Sequence, residues 1–216
     1  MFKDQVIQVI DKFEGGYYHP NMLLDGRVKD KRYSKSGETM FGIDRLKGGS
    51  INKTAAGKRF WNLIDQANAS KLWKWNYKGG SLAPELKNLA AEMIEPLFNN
   101  LSKSYLSQKA INIVNNSTGL TFHFIYATYN GSGWFKKFAN DISSAIASGI
   151  IDPVQLLNVA INSRTKEGLE KGDPPNSLIA QSGRKIATMF KAITPAVKIA
   201  TPLIIAGLIL YFILKK

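Results

Sequence analysis

Over the first thirteen residues, Phe2, Val6, Val9, Ile10 and Phe13 recur every three or four positions, with Lys3, Asp4, Asp11 and Lys12 between them. That spacing puts the apolar residues on one face and predicts an amphipathic helix packed on a core. The same period returns in a mixed-charge region at 53–73. It returns again behind Pro84 through Leu86, Leu89, Ala90, Met93, Ile94 and Leu97, and Pro84 suits the first turn of a helix. Further helices are predicted over 107–115, 134–147, 152–164 and 177–189, with Asp152 and Pro153 capping and opening the third of these. Residues 122–129 are aromatic-rich and fit either a strand or a buried helix by pattern; their context favours a helix. "NGSG" at 130–133 and "GLEKGDPPNS" at 168–177 read as breaks. Extended chain is expected only between about residues 22 and 41. The fold class is therefore mainly α, a helical domain with one small β-hairpin near its N-terminus.

The last segment breaks the pattern. From Ile199 to Leu214 no charge occurs, and apolar residues cover every face of a helix. Those residues span about 24 Å at a rise of ~1.5 Å each, against a bilayer core about 30 Å thick. Starting the helix at Pro195 closes the gap, with Lys198 snorkelling to one interface and Lys215 and Lys216 at the other. The expectation is a domain over 1–192 and a single transmembrane anchor over 193–216. The competing reading is a buried C-terminal core helix, although a soluble helix normally keeps a polar stripe. Charged residues interrupt the first helix, so it does not read as a secretory signal.

Composition narrows the partners. Twenty-nine Lys and Arg face sixteen Asp and Glu, a net charge of +13. A surplus of that size favours nucleic acid, anionic lipid or anionic wall polymers. The lysines are scattered and form no motif with aromatic residues, which favours a wall or lipid surface over nucleic acid. There is no cysteine, and His19 and His123 are the only histidines. Thiol chemistry is excluded, and neither a metal site nor a cofactor is expected.

Two short stretches carry the candidate chemistry. In "FEGGYYHP" at 13–20, Glu14 stands at the predicted end of the first helix, followed by two glycines. The negative end of the helix dipole and burial against Phe13, Tyr17 or Tyr18 both oppose ionisation there. A carboxyl kept protonated can act as a general acid, and the bare Gly15 and Gly16 backbone lets a bulky substrate approach. The alternative is a solvated C-cap with a left-handed glycine. In "SGETMFGI" at 36–43, Glu38 repeats the pairing of carboxylate and glycine.

Together these stretches resemble the lysozyme-like peptidoglycan muramidases of glycoside hydrolase family 108. The segment Glu14-Gly15-Gly16-Tyr17 matches that family's first motif, and Gly37-Glu38-Thr39-Met40-Phe41-Gly42-Ile43 matches its second. "YNGSGWFKKF" at 129–138 is similar to its Asn-x-Gly segment, and "SRTKEGL" and "SGRKI" to its later arginine segments. The link "HPNMLLDGRVKDKRYSKSG" is longer and more basic than the family's acidic one.

The resemblance covers about residues 1–190 and implies an α+β lysozyme-like fold. It makes Glu14 the acid that protonates the glycosidic oxygen. It places Glu38 and Thr39 across the cleft as groups that hold water or steady the oxocarbenium ion, with Asp25 and Asp30 as other candidates for the second carboxylate. Substrate-binding candidates are Tyr17, Trp73, Trp75 and Asn130. The two tryptophans fit sugar stacking or core packing equally, and Asn130 fits the cleft or a turn. The activity implied is cleavage of the β-1,4 bond between N-acetylmuramic acid and N-acetylglucosamine. Lytic transglycosylation and a non-enzymatic wall-binding role are the alternatives. An anchored enzyme without a signal suggests a lipid-containing bacteriophage. Its expected partners are peptidoglycan, a lipid membrane and other virion proteins, and no nucleic acid. It would act from a virion membrane or the host inner membrane.

Overall fold

The computed structural model describes residues 2–19, 37–69, 76–170 and 178–191. Their order is α1 (Phe2–Phe13), β1 (Thr39–Met40), β2 (Ile43–Asp44), α2 (Ala55–Ala69), α3 (Ala83–Tyr105), α4 (Gln108–Asn115), α5 (Thr118–Tyr129), α6 (Ser132–Ala147), α7 (Pro153–Glu170) and α8 (Leu178–Lys191). The domain is mainly helical, with one small antiparallel sheet near the N-terminus.

The aromatic run that pattern left open is α5. It is buried from Gly119 to Thr128, on all faces, as a helix without a polar stripe must be. Ser117 caps its start by accepting from the Leu120 N–H at 3.3 Å. Helices α1, α3, α4, α6, α7 and α8 all pack around it. His123 lies in this core at 0 % exposure, its ring 4.5 Å from that of Phe138. Helix α1 buries Val6, Val9 and Ile10 as its period requires, and Phe13 at its end lies 4.8 Å from the Tyr126 ring of α5.

Of the extended chain expected over 22–41, residues 22–36 lie outside the described residues, β1 falls within it, and the described ribbon continues beyond it. Strands β1 and β2 pair Thr39 with Asp44 and Met40 with Ile43. Two further bridges widen this ribbon: Tyr18 pairs with Thr39, and Tyr17 with Tyr77. Four short stretches therefore lie side by side as a wall beyond the end of α1, in the order 77, 17–18, 39–40 and 43–44. The reason is local. Phe41 and Gly42 form a two-residue turn with φ of 53° and 76°. Positive φ at both positions matches the strand twist of a tight hairpin, so the ribbon continues past residue 41.

Among the described residues, no helix is long and apolar enough to cross a membrane. The predicted anchor, 193–216, lies outside the described residues, as do Trp73, Trp75, Asp25 and Asp30.

Candidate active site

Glu14 follows α1 directly, and its N–H still donates to the Ile10 carbonyl at 3.2 Å. The chain then extends instead of turning back through a left-handed glycine, since neither Gly15 nor Gly16 has positive φ. The two glycines serve different ends. A Cβ on Gly16 would lie 2.6 Å from the Asn76 carbonyl oxygen and closer still to that of Tyr77. Gly16 is bare because the 76–77 backbone presses against it. Its N–H donates to Asn76 Oδ1 at 2.9 Å, and Tyr17 N–H donates to the Tyr77 carbonyl at 2.7 Å. Gly15 is exposed and leaves the approach beside Glu14 open.

The half-buried Glu14 carboxylate meets the hairpin tip. A Cβ on Gly42 would overlap Glu14 Oε2 and lie 2.7 Å from its Cδ. Any side chain at 42 must push the carboxylate away, and φ of 76° disfavours one independently. Lys78 reaches the same place from the far side of the wall, its Nζ donating to the Glu14 carbonyl at 3.1 Å. The ammonium thus stands at the negative end of α1.

Tyr129, the last residue of α5, completes this group. Its hydroxyl is buried and has no hydrogen-bond partner among the described residues. Burial, and then the nearby Glu14 charge, push the phenol well above its ordinary value, so it remains a neutral donor. The sequence reading passed over Tyr129 because a tyrosine in an aromatic run looks like core. Its position just before "NGSG", where α5 ends, was the available signal.

Glu38 stands immediately before β1, and Tyr17 is buried beside it. Tyr17 is 0 % exposed, so its ring offers no face to a sugar. Its hydroxyl donates to Glu38 Oε1 at 2.6 Å and accepts from Asn68 Nδ2 at 3.3 Å. Burial first, then the Glu38 hydrogen bond, raise the Tyr17 phenol far above its usual range. The other Glu38 oxygen, Oε2, accepts from Arg45 Nη1 at 2.6 Å. Both carboxylate oxygens are engaged within the wall. Arg45 also grips Asp65 with both nitrogens, at 2.6 and 2.7 Å. Its hydrogen bond to Asp65, outweighing partial burial, helps hold the guanidinium more firmly protonated than usual.

Comparisons with protein-family models, curated proteins and solved structures found no match for this chain.

The remaining candidates divide. Thr39 sits on β1, its N–H and carbonyl both paired with Tyr18 at 2.9 and 2.8 Å. By strand alternation its side chain points opposite to the buried Met40. Asn130 is exposed at the end of α5 and donates from Nδ2 to the Tyr126 carbonyl at 2.8 Å, which is the turn reading of that residue. Asp44 accepts from the N–H groups of Leu46 and Lys47 at 2.8 and 2.7 Å. Among the described residues no group of His, Asp and Glu has metal-site geometry. The arrangement therefore presents one carboxyl at a helix end, packed against the Gly42 turn beside an exposed glycine backbone, with an ammonium on its carbonyl and a buried phenol within its electrostatic reach. It is suited to proton transfer to a neutral oxygen of a bulky substrate.

Proposed function

We propose that this protein is a peptidoglycan-cleaving glycosidase that uses Glu14 as general acid on the β-1,4 bond after N-acetylmuramic acid. The observation that carries the reading is the Glu14 carboxylate packed against the Gly42 turn at the end of α1, with exposed Gly15 beside it. Protonation of the glycosidic oxygen by Glu14 releases the leaving sugar as an oxocarbenium-like species forms. The basic surface favours an anionic wall substrate. Residues 193–216 would tether the enzyme to a lipid membrane, in a virion or in the host inner membrane, where other virion proteins would surround it.

Water attack is the proposed second step, and it needs a group that places the water. In an inverting enzyme that group is a second carboxylate about 6.5–9.5 Å from the first. Asp25 and Asp30 are the remaining sequence candidates. A second reading draws support from the engagement of Glu38, Asp44 and Asp65 in other contacts. In that reading the 6-hydroxyl of the muramoyl residue attacks its own anomeric carbon and leaves a 1,6-anhydro end.

Mass spectrometry of glycan strands digested by the full chain separates the two. Reducing ends are expected for hydrolysis. Anhydro ends would replace the first reading by the second, and uncut strands that retain bound protein would leave only a wall-binding role.

A further inference from the structure

We propose that Arg45 is a positioning residue, which holds the hairpin tip and through it the Glu14 carboxylate in working geometry. This rests on the reading of Glu14 as proton donor.

The hairpin cannot hold itself. Each strand has two residues, and an isolated ribbon of that size is marginal at best in water. Its turn also places Phe41, a bulky residue, at φ of 53°, a strain of the kind that persists only where the surroundings over-determine it. The buried Phe41 ring fixes the tip from below. At the base, Leu46 lies against Gly37, and Arg45 adds the polar tie. Arg45 N–H extends the ladder by donating to the Glu38 carbonyl at 2.8 Å. Its guanidinium then joins Glu38, before β1, to Asp65 on α2.

The same group lies over the Trp61 ring, 5.2 Å from its centre. Trp61 Nε1 donates to Asn52 Oδ1 at 3.0 Å, and Asn52 Nδ2 donates to the Asp44 and Arg45 carbonyls at 3.0 and 2.8 Å. Hairpin and α2 thus meet at one planar fork. A lysine would supply the charge without that fork. Because Gly42 touches Glu14 directly, any looseness at the base reaches the carboxylate within four residues of chain.

The test uses full-length protein in detergent, as parent, Arg45→Gln, Arg45→Lys and Asp65→Asn. Steady-state rates on purified peptidoglycan are measured well below each melting temperature, with amide hydrogen exchange alongside. In Arg45→Gln, kcat should fall roughly 10- to 100-fold, as ångström-scale misplacement of a reacting group does, with KM within about twofold. Arg45→Lys should recover part of that loss. Asp65→Asn, the gentler variant should Arg45→Gln fail to fold, should lose about three- to tenfold, because Glu38 still holds the guanidinium. Amides at 39–44 should exchange about tenfold faster while those of α5 do not change.

A lower melting temperature with kcat and hairpin exchange unchanged overturns the proposal in favour of a purely structural role. A rise in KM at constant kcat overturns it in favour of substrate binding. A parent that never cleaves removes the reading of Glu14 instead, and the exchange data then decide by themselves whether Arg45 orders the hairpin.

Discussion

Around α5, Leu120, Phe122, Phe124 and Ile125 are fully buried among neighbours on every side. Across the wall beyond α1, by contrast, specific contacts add to the burial of Tyr17, Met40, Phe41 and Ile43. Gly42 yields its place to Glu14, Gly16 to the 76–77 backbone, and Arg45 ties the hairpin to α2. The helical body rests on many interchangeable apolar contacts. The wall adds polar and close backbone contacts that are not interchangeable. A substitution in the body should therefore be read in stability, and one in the wall should be read in activity.

The largest effect belongs to the body. Phe124→Ala removes a fully buried ring and should destabilise the fold by about 3–5 kcal/mol. Chemical denaturation would measure this, and any activity that survives below the new midpoint should be close to parental. Activity lost with unchanged stability would erase the distinction between the two regions.

Next comes Gly42→Ala, which forces the Glu14 carboxylate aside. Peptidoglycan clearing should fall about 10²-fold, because displacement of roughly an ångström is enough. The destabilisation should stay near the 1–2 kcal/mol of a left-handed non-glycine residue, and the two measurements together locate the damage at the site.

The smallest effect is Tyr129→Phe. Its hydroxyl makes no hydrogen bond among the described residues, so deleting it should leave stability unchanged or raise it by about 1 kcal/mol. Activity should nevertheless drop about tenfold if the phenol donates to bound substrate or to Glu14 during proton transfer. The alkaline limb gives an independent check. A phenol whose folded value lies above 10.0 contributes fully below that pH, and its contribution is lost as pH rises beyond it. Melting temperature should therefore fall more steeply above pH 10 in the parent than in Tyr129→Phe.

The difference between the regions also explains what could be read from sequence. The helices could, because burial leaves a periodic trace: α1 through Val6, Val9 and Ile10, and α3 through Leu86, Leu89, Ala90, Met93 and Ile94, whereas α5, buried on every face, was favoured only by its context. Glu14 could be singled out because two glycines follow it, although the reason for Gly16 lies sixty residues away at Asn76. The hairpin tip was harder, since Phe41 is no usual turn residue and its ring is held by the core. The places of Glu38 and Tyr17 followed no local pattern. Their partners stand at 45 and at 68, and only folding brings them together. Tyr129 carries no local mark beyond its position at a helix end.

The account depends most directly on the Glu14 proton. Glu14→Gln keeps the shape of the side chain against Gly42 and removes the acid. Cleavage of purified peptidoglycan by the full-length protein should fall ~10²–10⁴-fold, the usual loss for a general acid. Binding to the same peptidoglycan and the melting temperature should stay at parental values. Cleavage by Glu14→Gln at the parental rate would contradict the account.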